Sequence, residues 1–506
     1  MKKEPYKYVE WTKHAYDFPR DMSVISFAKD TSKVSITAHP HHPVIILDLD
    51  KNIIEQVYKE PKSLQLYFFG LVWIGFCDFE KKDEVRVIKK IIFSLFDYAK
   101  DKPNLHKNEM IWDDHALSER ACVLLYLKDH FEDDELLEVI DQHLHILTLN
   151  LDIIIASDKW KENNHRIFHL CAKLCLELVY KNDSLAASFY MEKIESFFLE
   201  LIDVEIGIAV EQAVAYYNFD IILLKLVSSF VINRDLSFRN PKLNINDIER
   251  KKNNHILALS FPNGELPASG DTPLGLKVKP KILDEEDRKS FWKGLERQGH
   301  YRGASKNNKF HYHLLSHNEE SAHGHKSPLH IDLWAEDIGM VLVDSGGPYK
   351  YGDSLRYSWF RASKAHNTVS FEDSVNCEEE IIVQNDHEAL KAVYTNNNSF
   401  IVRKLYSDDR SFFVNDFIKS ENDWCLNFHF SPDLVLKQID DSSFEVFKNN
   451  KSLAISFSLS NDIDLHVYGG YITSGSGKKE LTSSIAIKGS LGIFEVNCRI
   501  TKNQEV

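Results

Sequence analysis

Apolar residues recur every three to four positions from about Pro61 to Phe230, as in Leu185, Phe189, Ile194, Phe197, Phe198 and Leu201, which is the spacing of one helix face. Asp183 or Ser184 is the expected N-cap of that helix. Asp114 to Leu127, Asn164 to Tyr180 and Tyr217 to Val231 show the same period, and the short polar joins between such segments suit antiparallel helix pairs. The Asn-, Pro- and Gly-rich region from Asp235 to Gly275, including FPNGELPASGDTPLG, reads as an ordered loop, and Glu285 to Gln298 as one more helix. Beyond residue 300 the period becomes two. His330–Ala335 with Met340–Asp344, Phe400–Tyr406 with Ser411–Val414, and Phe444–Phe447 with Leu453–Phe457 are expected hairpins, the last turning at Asn449 and Asn450. Strands in succession with no helix between them favour stacked antiparallel sheets. The expected organisation is therefore multidomain, α then β, with a helical domain over 1–300 and a β domain over 301–506.

The length of 506 residues suits two large domains, and a formal charge of −15 gives no long-range attraction to nucleic acid or an anionic membrane. A polyanionic ligand must then be held by local contacts, because exposed charges beyond about 8 Å are mostly screened at physiological salt. The same acidic balance disfavours a heavily sulfated one. Seven scattered cysteines show no metal-finger spacing and are expected to be reduced core residues, with Cys171 and Cys175 on one helix stripe. No stretch has signal-peptide or membrane-spanning character, so as written the chain is expected to be cytoplasmic, without membrane insertion, and periplasmic or secreted if the sequence is trimmed at its start. No phosphate loop, dinucleotide fingerprint, nucleophile elbow or HExxH occurs, so no organic cofactor is expected.

Candidate chemistry concentrates in residues 321 to 371. His323 and His325, two apart, would share one face if extended, with Asp344 ending a strand and His366 entering another. Two imidazoles and a carboxylate converging in that way would make a zinc site with an open position, whereas an HxH pair alone also fits solvated loop residues. Asn163 and Asn164 stand at a helix start, where capping competes with ligand binding, and His165 with His169 also fits a helix-surface pair. Tyr216 and Tyr217 fit core packing equally.

Seven segments in order, WDDHALSER (112–120), NNHRIF (163–168), AYYNFDIIL (215–223), FPNGELPASGDT (261–272), HGHKSPLHIDL (323–333), VLVDSGGPYKY (341–351) and RASKAHNTV (361–369), resemble the heparinase II/III family and its alginate-lyase relatives. The resemblance implies an incomplete (α/α) toroid followed by an antiparallel β-sandwich, and a polysaccharide lyase that cleaves a uronate-containing glycan by β-elimination. It implies that Asn164 and His165 neutralise the substrate carboxylate, that Tyr216 and His323 exchange the protons, and that Tyr357 joins them. Asn163, Tyr217, Arg120 and His115 would bind substrate, and His325, Asp344 and His366 would hold a structural Zn²⁺ in the β domain. Ser327 stands where relatives often have a carboxylate, and Ala213-Val214 and Tyr217 where they often have Ser-Pro and His, so the catalytic tyrosine is Tyr216 or Tyr217. Which of Tyr and His is the base is open. A glycoside hydrolase on the same scaffold would instead need two carboxylates among Asp113, Asp114, Glu119 and Asp271, and an inactive glycan-binding or polysaccharide-assembly protein would need neither set.

Overall fold

The computed structural model describes residues 23–28, 32–40, 42–100, 109–157, 165–232, 238–279, 283, 285–316, 323–350, 353–371, 379–386, 389–396, 398–460, 463–475 and 477–503. A helical N-terminal part is followed by a β-rich C-terminal region of antiparallel sheets. The chain forms two compact units, one of residues 1–200 and 222–243, the other of 201–221 and 244–506. The change of period near residue 300 marks a change of secondary structure inside the second unit, which also holds helices over Ile245–Leu259 and Glu285–Leu295 with a loop between them; the first of these helices occupies part of the 235–275 stretch expected to be a loop.

In the first unit a three-stranded sheet, β1 (Ile25–Phe27), β2 (Lys33–Ile36) and β3 (Ile45–Asp48), precedes helices α1 (Ile53–Val57), α2 (Lys62–Gly70), α3 (Lys82–Lys100), α4 (Asp114–Lys128), α5 (Asp134–Ile155), α6 (Arg166–Cys175) and α7 (Ser184–Leu201). Helix α4 is buried on every side from Ala116 to Leu127, as its apolar run ALSERACVLLYL requires. Its N-cap is Asp113, which accepts from the amide of His115. Asp183 caps α7, accepting from Leu185 and Ala186 as the sequence suggested. The helix expected through Tyr180 is regular only to Cys175 and then widens into a π turn over Leu176–Lys181, closed by Asn182 at a φ of 56°.

Helix α8 (Tyr216–Ile232) begins in the second unit, which continues with α9 (Ile245–Leu259) and α10 (Glu285–Leu295). Short strands β4 (Ile202–Asp203) and β5 (Ile208–Ala209) pair before α8. Strands β6 (His300–Ala304), β7 (Phe310–Leu315), β8 (His330–Ala335) and β9 (Gly339–Leu342) form one four-stranded sheet in that order. The rest are β10 (Val369–Phe371), β11 (Glu380–Asn385), β12 (Ala389–Asn396), β13 (Ser399–Ser407), β14 (Ser411–Ser420), β15 (Trp424–His429), β16 (Val435–Gln438), β17 (Ser443–Lys448), β18 (Lys451–Leu459), β19 (Asp464–Ile472), β20 (Glu480–Gly489) and β21 (Gly492–Lys502). They make an eight-stranded sheet, β11-β12-β13-β14-β21-β18-β17-β16, and a second four-stranded sheet, β10-β15-β20-β19. All three expected hairpins are present, and Asn449 turns the last at a φ of 54°.

Buried and accessible positions alternate along β13, and the two four-stranded sheets and the eight-stranded sheet bury their apolar faces in one core that includes Phe310, Ile331, Ile401, Val414, Leu426, Ile455 and Ile487. Across that core Arg403 forks onto Asp416 of the neighbouring strand at 2.8 and 2.9 Å and also donates to the carbonyls of Leu329 and Asn367. This buried cation fixes the eight-stranded sheet to the segments that carry the candidate site. Cys171 and Cys175 are buried free thiols, as expected. Among the described residues no helix is long and apolar enough to cross a membrane.

Candidate active site and metal centre

Residues 323 to 325 form a turn and an irregular segment, so the extended geometry that would put both histidines on one strand face is absent. The two imidazoles go to different partners. His323 sends Nδ1 to Glu211 Oε1 at 3.1 Å and stacks its ring on Tyr216, the centroids 3.7 Å apart and the planes 20° from parallel. Because a carboxylate only accepts, Nδ1 carries the proton in this bond. His325 turns the other way, with Nε2 3.1 Å from Asp271 Oδ1.

The segment is held in this split by residues from distant parts of the chain. The Gln212 side chain accepts from the His325 amide and donates to the His325 carbonyl and to Ser327 Oγ. The Asp271 amide donates to the His323 carbonyl at 2.9 Å. Gly270, at a φ of 57°, lies so close that a Cβ there would stand 2.7 Å from that carbonyl oxygen, so the GDT step needs its glycine. Asp271 is buried and gripped by Arg356 at 3.1 and 2.6 Å. Burial raises its carboxyl pKa, but the hydrogen bonds from His325 and Arg356 outweigh burial and hold it below the usual range.

His325, Asp344 and His366 bring one ligand atom each within 4.8 Å of one another, all three residues being buried. Asp344 lies beyond the end of β9 and His366 ahead of β10, so the three come from loop segments at strand ends and not from within strands. The group fits a metal ion by its spare atoms. His325 Nδ1, Asp344 Oδ2 and His366 Nε2 are buried without a hydrogen-bond partner, while the opposite atom of each is engaged, by Asp271 for His325 and between His366 Nδ1 and Asp344 Oδ1 at 3.0 Å. Burial pushes the Asp344 carboxyl up, and the imidazoles of His366, His330 and His325 more than reverse it, so the carboxylate is ionised. Burial lowers the His325 pKa despite its bond to Asp271, which favours the neutral imidazole a metal requires.

Behind this group runs a buried polar chain that sequence reading missed. Tyr217 meets His300 at 2.8 Å, His300 meets His313 at 3.0 Å, and His313 Nδ1 donates to Asp332 Oδ2 at 3.0 Å. Asp332 Oδ1 accepts from the Asp344 amide at 3.1 Å and lies 3.2 Å from His330 Nε2. The Asn367 amide donates to His330 Nδ1, leaving the Nε2 proton between Asp332 and Asp344. Asn367 also donates to the carbonyls of Ile331 and Val343 and accepts from the His429 amide. His311 and His313 alternate within FHYHLL of β7, the one local hint of a polar face inside a buried strand.

The remaining expected residues separate into groups. Tyr217 is fully buried and committed to His300 and the Glu211 carbonyl, which makes it a packing group and leaves Tyr216 as the tyrosine beside His323. Tyr357 is 58% exposed, on the turn whose buried anchor is Arg356. In the first unit His165 Nδ1 lies 3.0 Å from Asp114 Oδ1, His169 Nε2 lies 3.5 Å from Asp114 Oδ2, and His115 Nε2 lies 3.3 Å from Glu119 Oε1. Arg120 is buried, with its guanidinium donating to the carbonyls of Phe69 and Ile111. Asn163 and Asn164 lie outside the described residues. Glu211, whose carboxylate orients His323, carried no signal beyond being a charge within GIAVEQAVAYY.

Residues 312–504 match the family model of the heparinase II/III-like C-terminal domain. The structure is similar to that of heparinase III, with a TM-score of 0.64 and 13% identity, covering 99% of this chain and 85% of that one. It is also similar to heparan sulfate lyase HepC from Pedobacter heparinus, with a TM-score of 0.56 and 13% identity, covering 99% of this chain and 88% of that one. At this identity the likeness is one of fold. No curated protein matches the sequence. The family match thus covers residues 312–504, and over the rest of the chain the likeness to heparinase III is one of fold.

Proposed function

We propose that this protein is a polysaccharide lyase that cleaves a uronate-containing glycan by β-elimination, on an incomplete toroid of paired helices followed by a β-sandwich. The observation that carries the reading is the Tyr216–His323 stack with His323 Nδ1 bound to Glu211. An imidazole oriented through Nδ1 can, when neutral, act through Nε2 as a general base, and the phenol next to it supports a shared part in the proton transfer.

In the proposed reaction His323 Nε2 removes the C5 proton of the uronate. The electron pair develops toward the carboxylate as an enolate and then forms the C4–C5 double bond as the C4–O bond breaks. Tyr216 gives its proton to the leaving glycosidic oxygen. Charge on the carboxylate must be neutralised for the C5 proton to be acidic enough, and by residue type that task falls to Asn164 and His165. Tyr357, exposed and following Arg356, is a further proposed substrate contact, with His115 and Asn163.

His325, Asp344 and His366 are the proposed ligands of a structural Zn²⁺, whose chemistry would be to cross-link three loop segments, with His323 outside its ligand set. The hydrolase alternative is weakened because its candidate carboxylates have other work. Asp113 caps α4, Asp114 pairs with His165 and His169, Glu119 faces His115, and Asp271 is locked to Arg356 and His325.

The test is a continuous ultraviolet assay over alginate, hyaluronan, heparan sulfate, glucuronan and bacterial capsular glycans. A rise in absorbance from the conjugated double bond, lost in Tyr216→Phe, is the expected result. Chain cleavage without that absorbance would replace the lyase by a hydrolase, and absence of cleavage on every glycan would overturn the enzymatic reading in favour of a binding protein.

A further inference from the structure

A groove of about 1170 Å³ crosses the β10-β15-β20-β19 sheet, and one of its walls is the segment from Trp359 to Lys364. It starts next to His325 at Lys326, and the Lys326 backbone amide donates to the Arg361 carbonyl, which ties the HGHK segment to that wall. Three lysines, Lys326, Lys364 and Lys488, line it, and all three are exposed. Among the described residues none of their ammonium groups closes an ion pair; even Asp464, directly opposite Lys488 on the neighbouring strand, does not. The chain as a whole carries a net charge of −15, and these three lysines give the groove a local positive contribution.

The aromatic part of the groove is fixed in place. Trp359 Nε1 donates to the Tyr471 carbonyl at 2.8 Å, and the ring stands edge-on to Tyr468 and His429. Gly470 leaves the room for it, since a Cβ there would lie 3.1 Å from Trp359 Cζ2. The Tyr468 hydroxyl donates to Asn427 Oδ1 at 3.0 Å, which holds the phenol against the sheet. Rigid aromatic faces set among amide and hydroxyl groups suit sugar rings, which present an apolar C–H face and a polar rim. Lysines without partners suit the carboxylates such a chain would carry.

We propose that this groove is an accessory subsite that holds an unsulfated or sparsely sulfated acidic glycan, chiefly through Lys364 and Lys488 beside Trp359. Asp423 and Asp464 on the same lining offset part of the positive charge, which suits one carboxylate per repeat over a sulfate-dense chain. The inference rests on the lyase reading only for the choice of a glycan as ligand.

The experiment is calorimetric titration of a heparosan octasaccharide, glucuronate alternating with N-acetylglucosamine, into the full chain carrying Tyr216→Phe, so that the ligand is not consumed. A chitin octasaccharide, the same length without carboxylates, is the control. The expected result is saturable binding of the acidic chain that weakens as salt is raised and becomes about three- to tenfold weaker with Lys364→Gln and Lys488→Gln together, since each exposed ion pair contributes modestly. Both lysines are exposed, and circular dichroism melts of the double variant are the check that it folds. No binding, equal binding of the neutral chain, or an unchanged Kd in the double variant would overturn the proposal. The ultraviolet assay on the parent protein separates the two claims: binding without absorbance keeps the subsite and removes the lyase, and absorbance with an unchanged Kd does the reverse.

Discussion

His323 and His325 are two residues apart, yet they sit in opposite kinds of surroundings. His325 is 1% exposed, its ring bound to Asp271 and its backbone clamped on both sides by Gln212. The side chain of His323 keeps 11% of its surface open and rests on Tyr216, with Glu211 fixing its tautomer. In the proposed function the same side chain has two uses set by its surroundings. A sealed imidazole with an unpartnered nitrogen is suited to an ion, and one stacked on a phenol and oriented by a carboxylate is suited to proton transfer. The irregular backbone of HGH is what separates them, because a strand would have pointed both to one side.

The largest expected effect is on the open histidine. His323→Ala should lower turnover in the ultraviolet assay by about 10²–10⁴-fold, the range for a positioned general base, while leaving the melting temperature within a few degrees of the parent. Near-parent turnover would take His323 out of the chemistry.

Next comes the sealed group. His366→Ala removes a partner of a buried, ionised carboxylate, and urea unfolding should show a loss of about 3–5 kcal/mol, the cost of leaving such a charge uncompensated. A loss under about 1 kcal/mol would mean that Asp344 is adequately held by His330, Ser345 and the Gly346 amide alone.

A smaller effect is expected one step away from the ligands. Asp332 accepts from the Asp344 amide and from His313, so Asp332→Asn should weaken metal binding by about 10–100-fold in competition with a chromophoric chelator. An unchanged affinity would confine Asp332 to packing.

The smallest is in the first unit. Burial raises the Asp114 carboxyl pKa, but hydrogen bonds from His165 and His169 override it and leave it well below the carboxylate range. Its contribution to stability is then complete above the unfolded value of about 3.9 and is lost as pH falls toward the lower folded value. Parent protein should therefore lose more melting temperature between pH 5 and pH 3 than Asp114→Asn does. Parallel losses would show that the pair contributes nothing to acid sensitivity.

Much of the fold was legible because it repeats locally. Helical spacing located α4, α7 and α8, alternation located the three hairpins, and Asn449 announced its turn by a residue type that tolerates positive φ. The π turn after Cys175 left no trace, since LELVYK fits a regular helix equally well. At the site, HGH, Asp344 and His366 stood out by residue type, and the structure gathers His325, Asp344 and His366. The division between the two histidines was hidden, because Glu211 and Gln212 act across more than a hundred residues of chain. Asp332 and Asn367 were hidden too, since a buried polar residue is recognised by its partners and those come from other strands. Tyr216 and Tyr217 could not be ranked until burial assigned one to the open stack and the other to His300.

The division of labour within HGH is tested most directly by the elimination rate of His323→Ala on protein whose bound zinc has been determined. The account predicts zinc at the parent stoichiometry and a rate at least about a hundredfold lower. A rate that survives, or zinc lost together with the rate, would contradict it.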